Sequence, residues 1–196
     1  MSSVIYCVSK CDLFQVIPLF HALMESRSAQ AYRDLFNYFR MLAPNVNPDF
    51  IMTDFEQAQQ QAFIDEFPRA RLTGCLWHFA RAVCRNVRAL GIYPLVQDNE
   101  NARRLVRLCL AIPLAPPGRL QEDLNCVVVE SRRLMLINQF TEFFQYVRNT
   151  WIVGVGDQVL SVFGVRYRTN NVAECHHRNL NARLVRRPNI WRFIGM

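Results

Sequence analysis

The sequence holds a single lysine, Lys10, so its basic residues are arginine almost without exception. A lysine-rich import signal is therefore absent. No apolar run is long enough to cross a bilayer, and no basic opening region precedes a long apolar core. Neither a membrane span nor a signal peptide is expected. Gly-x-Gly-x-x-Gly, the P-loop, Gly-x-Ser-x-Gly and paired Cys-x-x-Cys are all missing, which leaves Rossmann chemistry, nucleotide hydrolysis and zinc ribbons without support. Internal repeats and low-complexity tracts are missing too. The seven cysteines are an odd count without tight repeated spacing, a pattern that suits a reducing interior better than a disulfide framework.

What is present is an ordered globular composition: 196 residues, 51% apolar and 20% charged. That length suits one domain, or a domain with an insertion. The net charge of +7 hides an asymmetry. Residues 1–66 carry four basic and eight acidic side chains, a balance of −4; residues 67–196 carry nineteen and eight, a balance of +11. An arginine-dominated part beside an acidic part suits phosphate recognition next to a metal-binding centre, although a solvated charged surface has the same composition.

Hydrophobic periodicity orders the chain. Ser3 to Ser9 reads as a strand, Lys10 to Asp12 as a turn, and Leu13 to Met24 as a second strand, kept to a sheet edge by Pro18. Ser26 or Ser28 caps a helix with Ala31, Tyr32, Leu35, Phe36, Phe39 and Leu42 inward. Phe50 to Thr53 is a short buried strand. Phe55, Ala58, Ala62, Phe63 and Phe67 line the next helix, and Arg71 to Thr73 suggests another strand. After Gly74 a helix carries an apolar stripe from Leu76 to Leu90 and stops at Gly91. Helices are expected over 100–112 and 133–151, with 120–129 ambiguous and 151–167 irregular. A last helix spans 171–186. The order implies an α/β sheet with an all-α insertion.

Three stretches carry candidate chemistry. Asp54 ends an apolar strand, where a carboxylate can ligate a hard cation such as Mg²⁺, or can instead cap the helix that follows. Glu56 reads as a first-turn acid complementing the helix dipole. Cys75 and His78 lie one helical turn apart and can pair on zinc or serve structurally; without a clear second ligand pair the structural role is preferred and Zn²⁺ is not expected. Glu174 follows Arg168, Thr169, Asn170 and Asn171, polar residues that can cap a helix, bind phosphate or hold the acid. Arg81, Arg85 and Arg88 form a basic helical stripe, and Arg183, Arg186 and Arg187 a late basic cluster; either can track a phosphate backbone, and either can be solvated surface.

Taken in order, Thr53-Asp54-Phe55-Glu56-Gln57-Ala58, Gly74-Cys75-Leu76-Trp77-His78-Phe79 and Arg168-Thr169-Asn170-Asn171 through Glu174 and His177 resemble the motifs of Mutator-like element (MULE) transposases, a branch of the DDE transposases. The opening hairpin with Ala31 to Phe36, and the segment Pro188 to Ile194, are similar to the family's flanking regions. The resemblance implies an RNase H-like mixed sheet with an all-α insertion between the second and third acidic motifs. Residues 1–74 would form the first part of the core, 75–165 the insertion, and 166–196 the C-terminal core helix. Asp54 and Glu174 would be the second and third catalytic acids and the metal ligands, with Mg²⁺ or Mn²⁺ as cofactor and two-metal phosphoryl transfer as the reaction. Cys75, His78, Asn170, Asn171 and His177 would support the site, and Arg168 would join the other arginines in holding DNA. DNA is the implied partner and the nucleus the implied compartment. Homo-oligomer formation is left open, and neither a membrane nor a small-molecule substrate is implied. The family's first catalytic Asp lies on a strand ahead of the segment matched by Ser3 to Ser9, and this sequence begins after it; Asp12 does not match. The resemblance therefore implies a partial or degenerate domain, inactive by itself, with a non-catalytic domesticated DNA- or protein-binding module as the alternative.

Overall fold

The computed structural model of the chain describes residues 2–6, 18–171, 173–175 and 178. Strand β1 (Ser2–Tyr6) pairs antiparallel with β2 (Pro18–Leu23), as the hairpin reading requires, and Pro18 takes the first position of its strand, where a missing N–H costs least. The expected turn at Lys10 to Asp12 lies outside the described residues. Helix α1 (Ala29–Leu42) starts at Ser28, whose hydroxyl accepts from the Ala31 N–H at 3.1 Å. Tyr32 and Phe36 are buried as its periodicity demands, but Leu42, at the final turn, is exposed.

Strand β3 (Phe50–Thr53) is joined through α2 (Gln57–Glu66) to β4 (Arg71–Gly74), which pairs with β3 in parallel. A parallel pair needs a crossover, and α2 supplies it. The Phe36 and Phe63 rings stack at 4.1 Å between centroids, and Ile51, Phe67, Leu72 and Met24 complete this core. Parallel and antiparallel pairing thus both occur, in two separate two-stranded sheets.

Helix α3 (Leu76–Ala89) buries Phe79, Val83 and Val87 and ends before Gly91, whose φ of 69° favours glycine. A short helix that the periodicity does not reveal follows, α4 (Tyr93–Asp98), with Pro94 in its first turn. Then come α5 (Glu100–Ala111), a 3₁₀ turn at Ile112–Leu114 and α6 (Leu120–Arg133), which resolves the ambiguous stretch as helix. The expected single helix over 133–151 is broken. Met135 adopts a φ of 58° and separates α6 from α7 (Ile137–Tyr146), and α7 runs into a π-helical segment, Val147–Val155. The short α8 (Asp157–Leu160) leads back to the sheet. These helices enclose a second core around Phe79, Leu105, Leu124, Phe140 and Phe143.

The return of the chain is anchored at β4. The Arg71 guanidinium donates to the carbonyls of Phe163 at 3.0 Å and Ser161 at 3.4 Å. Among the described residues no helix is long and apolar enough to cross a membrane.

Burial pushes the Cys109 thiol up to about 12, whereas Cys84 and Cys126 are exposed. Alkylation of the native chain with iodoacetamide at pH 8, mapped by peptide mass, is expected to modify Cys84 and Cys126 and to spare Cys109 until denaturant is added.

Candidate functional site

The parallel strands β3 and β4 end in register, Thr53 opposite Gly74. Asp54 and Cys75 therefore leave the sheet side by side, and the Cys75 N–H continues the ladder by donating to the Thr53 carbonyl at 2.9 Å. The carboxyl end of a parallel sheet is where open α/β folds gather functional side chains. A third segment joins them: the Leu76 N–H donates to the Arg168 carbonyl at 2.9 Å, which brings Arg168 against the start of α3.

Asn170 connects the three. Its amide donates to Asp54 Oδ1, its Oδ1 accepts from the Cys75 thiol at 3.0 Å, and its backbone N–H donates to the Cys75 sulfur at 3.4 Å. The Asn170 carbonyl accepts from the Glu174 N–H at 3.0 Å, so Glu174 stands in the first turn of the following helix. His78 lies at the centre. Its Nε2 is 3.2 Å from Glu174 Oε1 and its Nδ1 is 3.3 Å from Asp54 Oδ1. Nδ1 is buried and not aligned for a hydrogen bond, so the Asp54 contact is one of charge rather than of donor and acceptor. Contact with the Cys75 side chain raises the imidazole pKa above its ordinary value, burial opposes the rise, and the charges of Asp54 and Glu174 add to it.

Asp54 does not cap α2. That position belongs to Glu56, which accepts from the Tyr32 hydroxyl at 3.0 Å and faces Arg27 at 3.6 Å, with no side-chain cap bond of its own. Asn171 is exposed and stands outside this network of described residues. Arg168 is exposed at the N-terminal end of α3, and Arg81, Arg85 and Arg88 are exposed along it. His177, Arg183, Arg186 and Arg187 lie outside the described residues.

Phe55, grouped by periodicity with the inward face of α2, departs from that expectation. It stands before the helix with a φ of 68°, an uncommon conformation for a bulky residue. Its ring lies so close to Gly74 that a Cβ there would overlap it, and it meets Trp151 edge-on at 4.9 Å in the π-helical segment. Asp54 is thus aimed by a neighbour clamped between the sheet and the helical block. In the sequence only the glycine at the end of a strand hints at this contact.

A divalent ion shared by two carboxylates needs their oxygens within roughly 3–4 Å of each other. Here Asp54 and Glu174 touch opposite sides of one imidazole, and among the described residues no three His, Cys, Asp or Glu side chains are disposed to hold a metal ion. As it stands the cluster is an acid–imidazole–acid bridge and does not fit a bridging ion.

Two outcomes follow from these contacts. Gly74→Ala should lower stability by about 1–3 kcal/mol, the usual cost of overpacking, read from the denaturant midpoint. His78→Gln should cost on the order of 1 kcal/mol at pH 6, a modest figure because Asp54 is half exposed to solvent. A raised folded-state pKa contributes stability that is complete below the ordinary value of 6.5 and is lost as pH rises through the folded value. Denaturation of wild type and variant at pH 6 and pH 9 should therefore show the gap closing at the higher pH.

No curated protein and no solved structure matches the chain. The helical block beyond residue 82 and Glu174 lie outside the stretch that matches a family model. Residues 5–82, from the opening hairpin into α3 and including Asp54, Cys75 and His78, match the family model of the MULE transposase domain.

Proposed function

We propose that the chain is a MULE-type DDE transposase domain that binds DNA and whose acidic centre is held closed by His78. The observation that carries this reading is the meeting of Asp54 and Glu174, 120 residues apart in sequence, on one imidazole at the carboxyl end of the parallel strands. In this reading the arrangement is RNase H-like. Residues 1–74 and 166–196 belong to one core, and 75–165 are an all-helical insertion packed around its own apolar centre. The exposed arginines of α3 and Arg168 are the DNA-facing groups, by long-range attraction to phosphate.

With the imidazole between the two acids, binding is favoured over phosphoryl transfer. Metal-dependent cleavage with Mg²⁺ or Mn²⁺ is the second reading, supported by the same convergence of carboxylates, and it requires His78 to leave its place. When bound, such ions would supply charge stabilisation and an activated oxygen nucleophile. Asp54 and Glu174 would then be the ligands.

Fluorescence anisotropy with labelled DNA should show sequence-independent binding whose log K falls linearly with log salt. Incubation with Mg²⁺ or Mn²⁺ should leave the DNA intact. Metal-dependent cleavage by the purified chain, abolished in Asp54→Ala, would overturn the closed-centre reading and establish the second one. Absence of DNA binding even at low salt would overturn both.

A further inference from the structure

The solvent face of α3 has a composition that helix amphipathicity alone does not demand. At about 100° per residue, Trp77, His78, Arg81, Arg85 and Arg88 fall within one arc, opposite the buried Phe79, Val83 and Val87. The Arg81 guanidinium lies over the Trp77 ring at 5.0 Å and the Arg88 guanidinium over Tyr93 at 5.1 Å. Among the described residues neither arginine, nor Arg85 between them, is ion-paired. Elsewhere in the helical block most arginines face carboxylates within 4 Å, among them Arg103, Arg104, Arg107, Arg119 and Arg133, while Arg148 instead donates to Asn125 Oδ1 at 3.0 Å. Arg81 and Arg88 thus combine an uncompensated charge with an aromatic ring beside it, and Arg85 adds a third charge between them.

We infer that this face is a track for single-stranded DNA. Arg81, Arg85 and Arg88 span ~10 Å along the helix, enough to follow consecutive phosphates of one strand. A guanidinium beside an indole gives an unpaired base both a cation and an aromatic ring to stack on, and stacking of that kind is open to any base but not to one inside a duplex. The row also has a direction. His78 shares the arc with Arg81 and touches Asp54 and Glu174, so a strand lying on α3 ends at the acidic cluster. The inference rests on the DNA-binding reading above and narrows it to one nucleic-acid form and one helix.

The test uses the whole chain with a fluorescent oligothymidylate and a duplex of equal length. Single strands should bind more tightly than duplex. Replacing Arg81, Arg85 and Arg88 together by Gln should lower the slope of log K against log salt by about 2, since each neutralised single-strand phosphate contributes ~0.7. Trp77→Phe should keep most of the single-strand affinity, whereas Trp77→Ala should lose roughly five- to a hundredfold and leave duplex affinity unchanged. A strand carrying 5-iodouracil should photocross-link to the tryptic peptide 72–81, a readout that needs no variant. Cross-links confined to peptides outside 72–88, or an arginine variant with unaltered salt slope, would overturn the α3 track and leave DNA binding by another face intact. Loss of all nucleic-acid binding in the wild type would remove both.

Discussion

The parallel pairing of β3 with β4 is the constraint on which the rest of the site depends. Because the two strands stop at the same level, Asp54 and the start of α3 emerge as neighbours, and one further ladder bond from Cys75 to Thr53 holds the exit in place. Everything chemical in the described structure is placed relative to that edge. Cys75 fixes Asn170, Asn170 fixes Asp54, and the first turn of α3 delivers His78 to both acids. Shifting the β3–β4 register by one residue would move Asp54 to the opposite face of the strand and dissolve the cluster, since side chains alternate along a strand.

The helical block bears on this edge through one aromatic contact. Phe55, immediately after Asp54, is held in a left-handed conformation by the space that Gly74 leaves and by the Trp151 ring. Trp151 belongs to a π-helical segment, and such segments arise where an extra residue is accommodated in a helix, often near functional groups. The conformation of the residue next to the acid is thus tied to packing nearly a hundred residues away. That link gives the helical block a physical role in aiming Asp54, beyond the α3 surface it presents.

The bridge made by His78 decides what the cluster can do as it stands. Two carboxylates converging on one partly exposed site repel each other, and a divalent ion would relieve that repulsion. An imidazole with a raised pKa relieves it as well, without a metal. A cluster that balances its own charge in this way has less need of a bound ion, which is the physical ground of the binding role proposed above.

Much of this was legible in the sequence. The hairpin, α1 with its Ser28 cap, the β3–α2–β4 unit and α3 ending at Gly91 follow from local periodicity, capping and turn chemistry, which act over a few residues. Asp54, Cys75, His78, Asn170 and Glu174 were identifiable as candidates from residue type and order. Their mutual contacts were not, because a tie between residues 120 apart leaves no local trace. The break at Met135, the π-helical turn and the displacement of Phe55 from its expected helix were likewise hidden, since each is imposed by packing between distant segments against local preference. The sequence alone therefore determined which elements form and which side chains are available for chemistry. Only the tertiary structure decided that an imidazole stands between the two acids, because that depends on the convergence of three chain segments at one sheet edge.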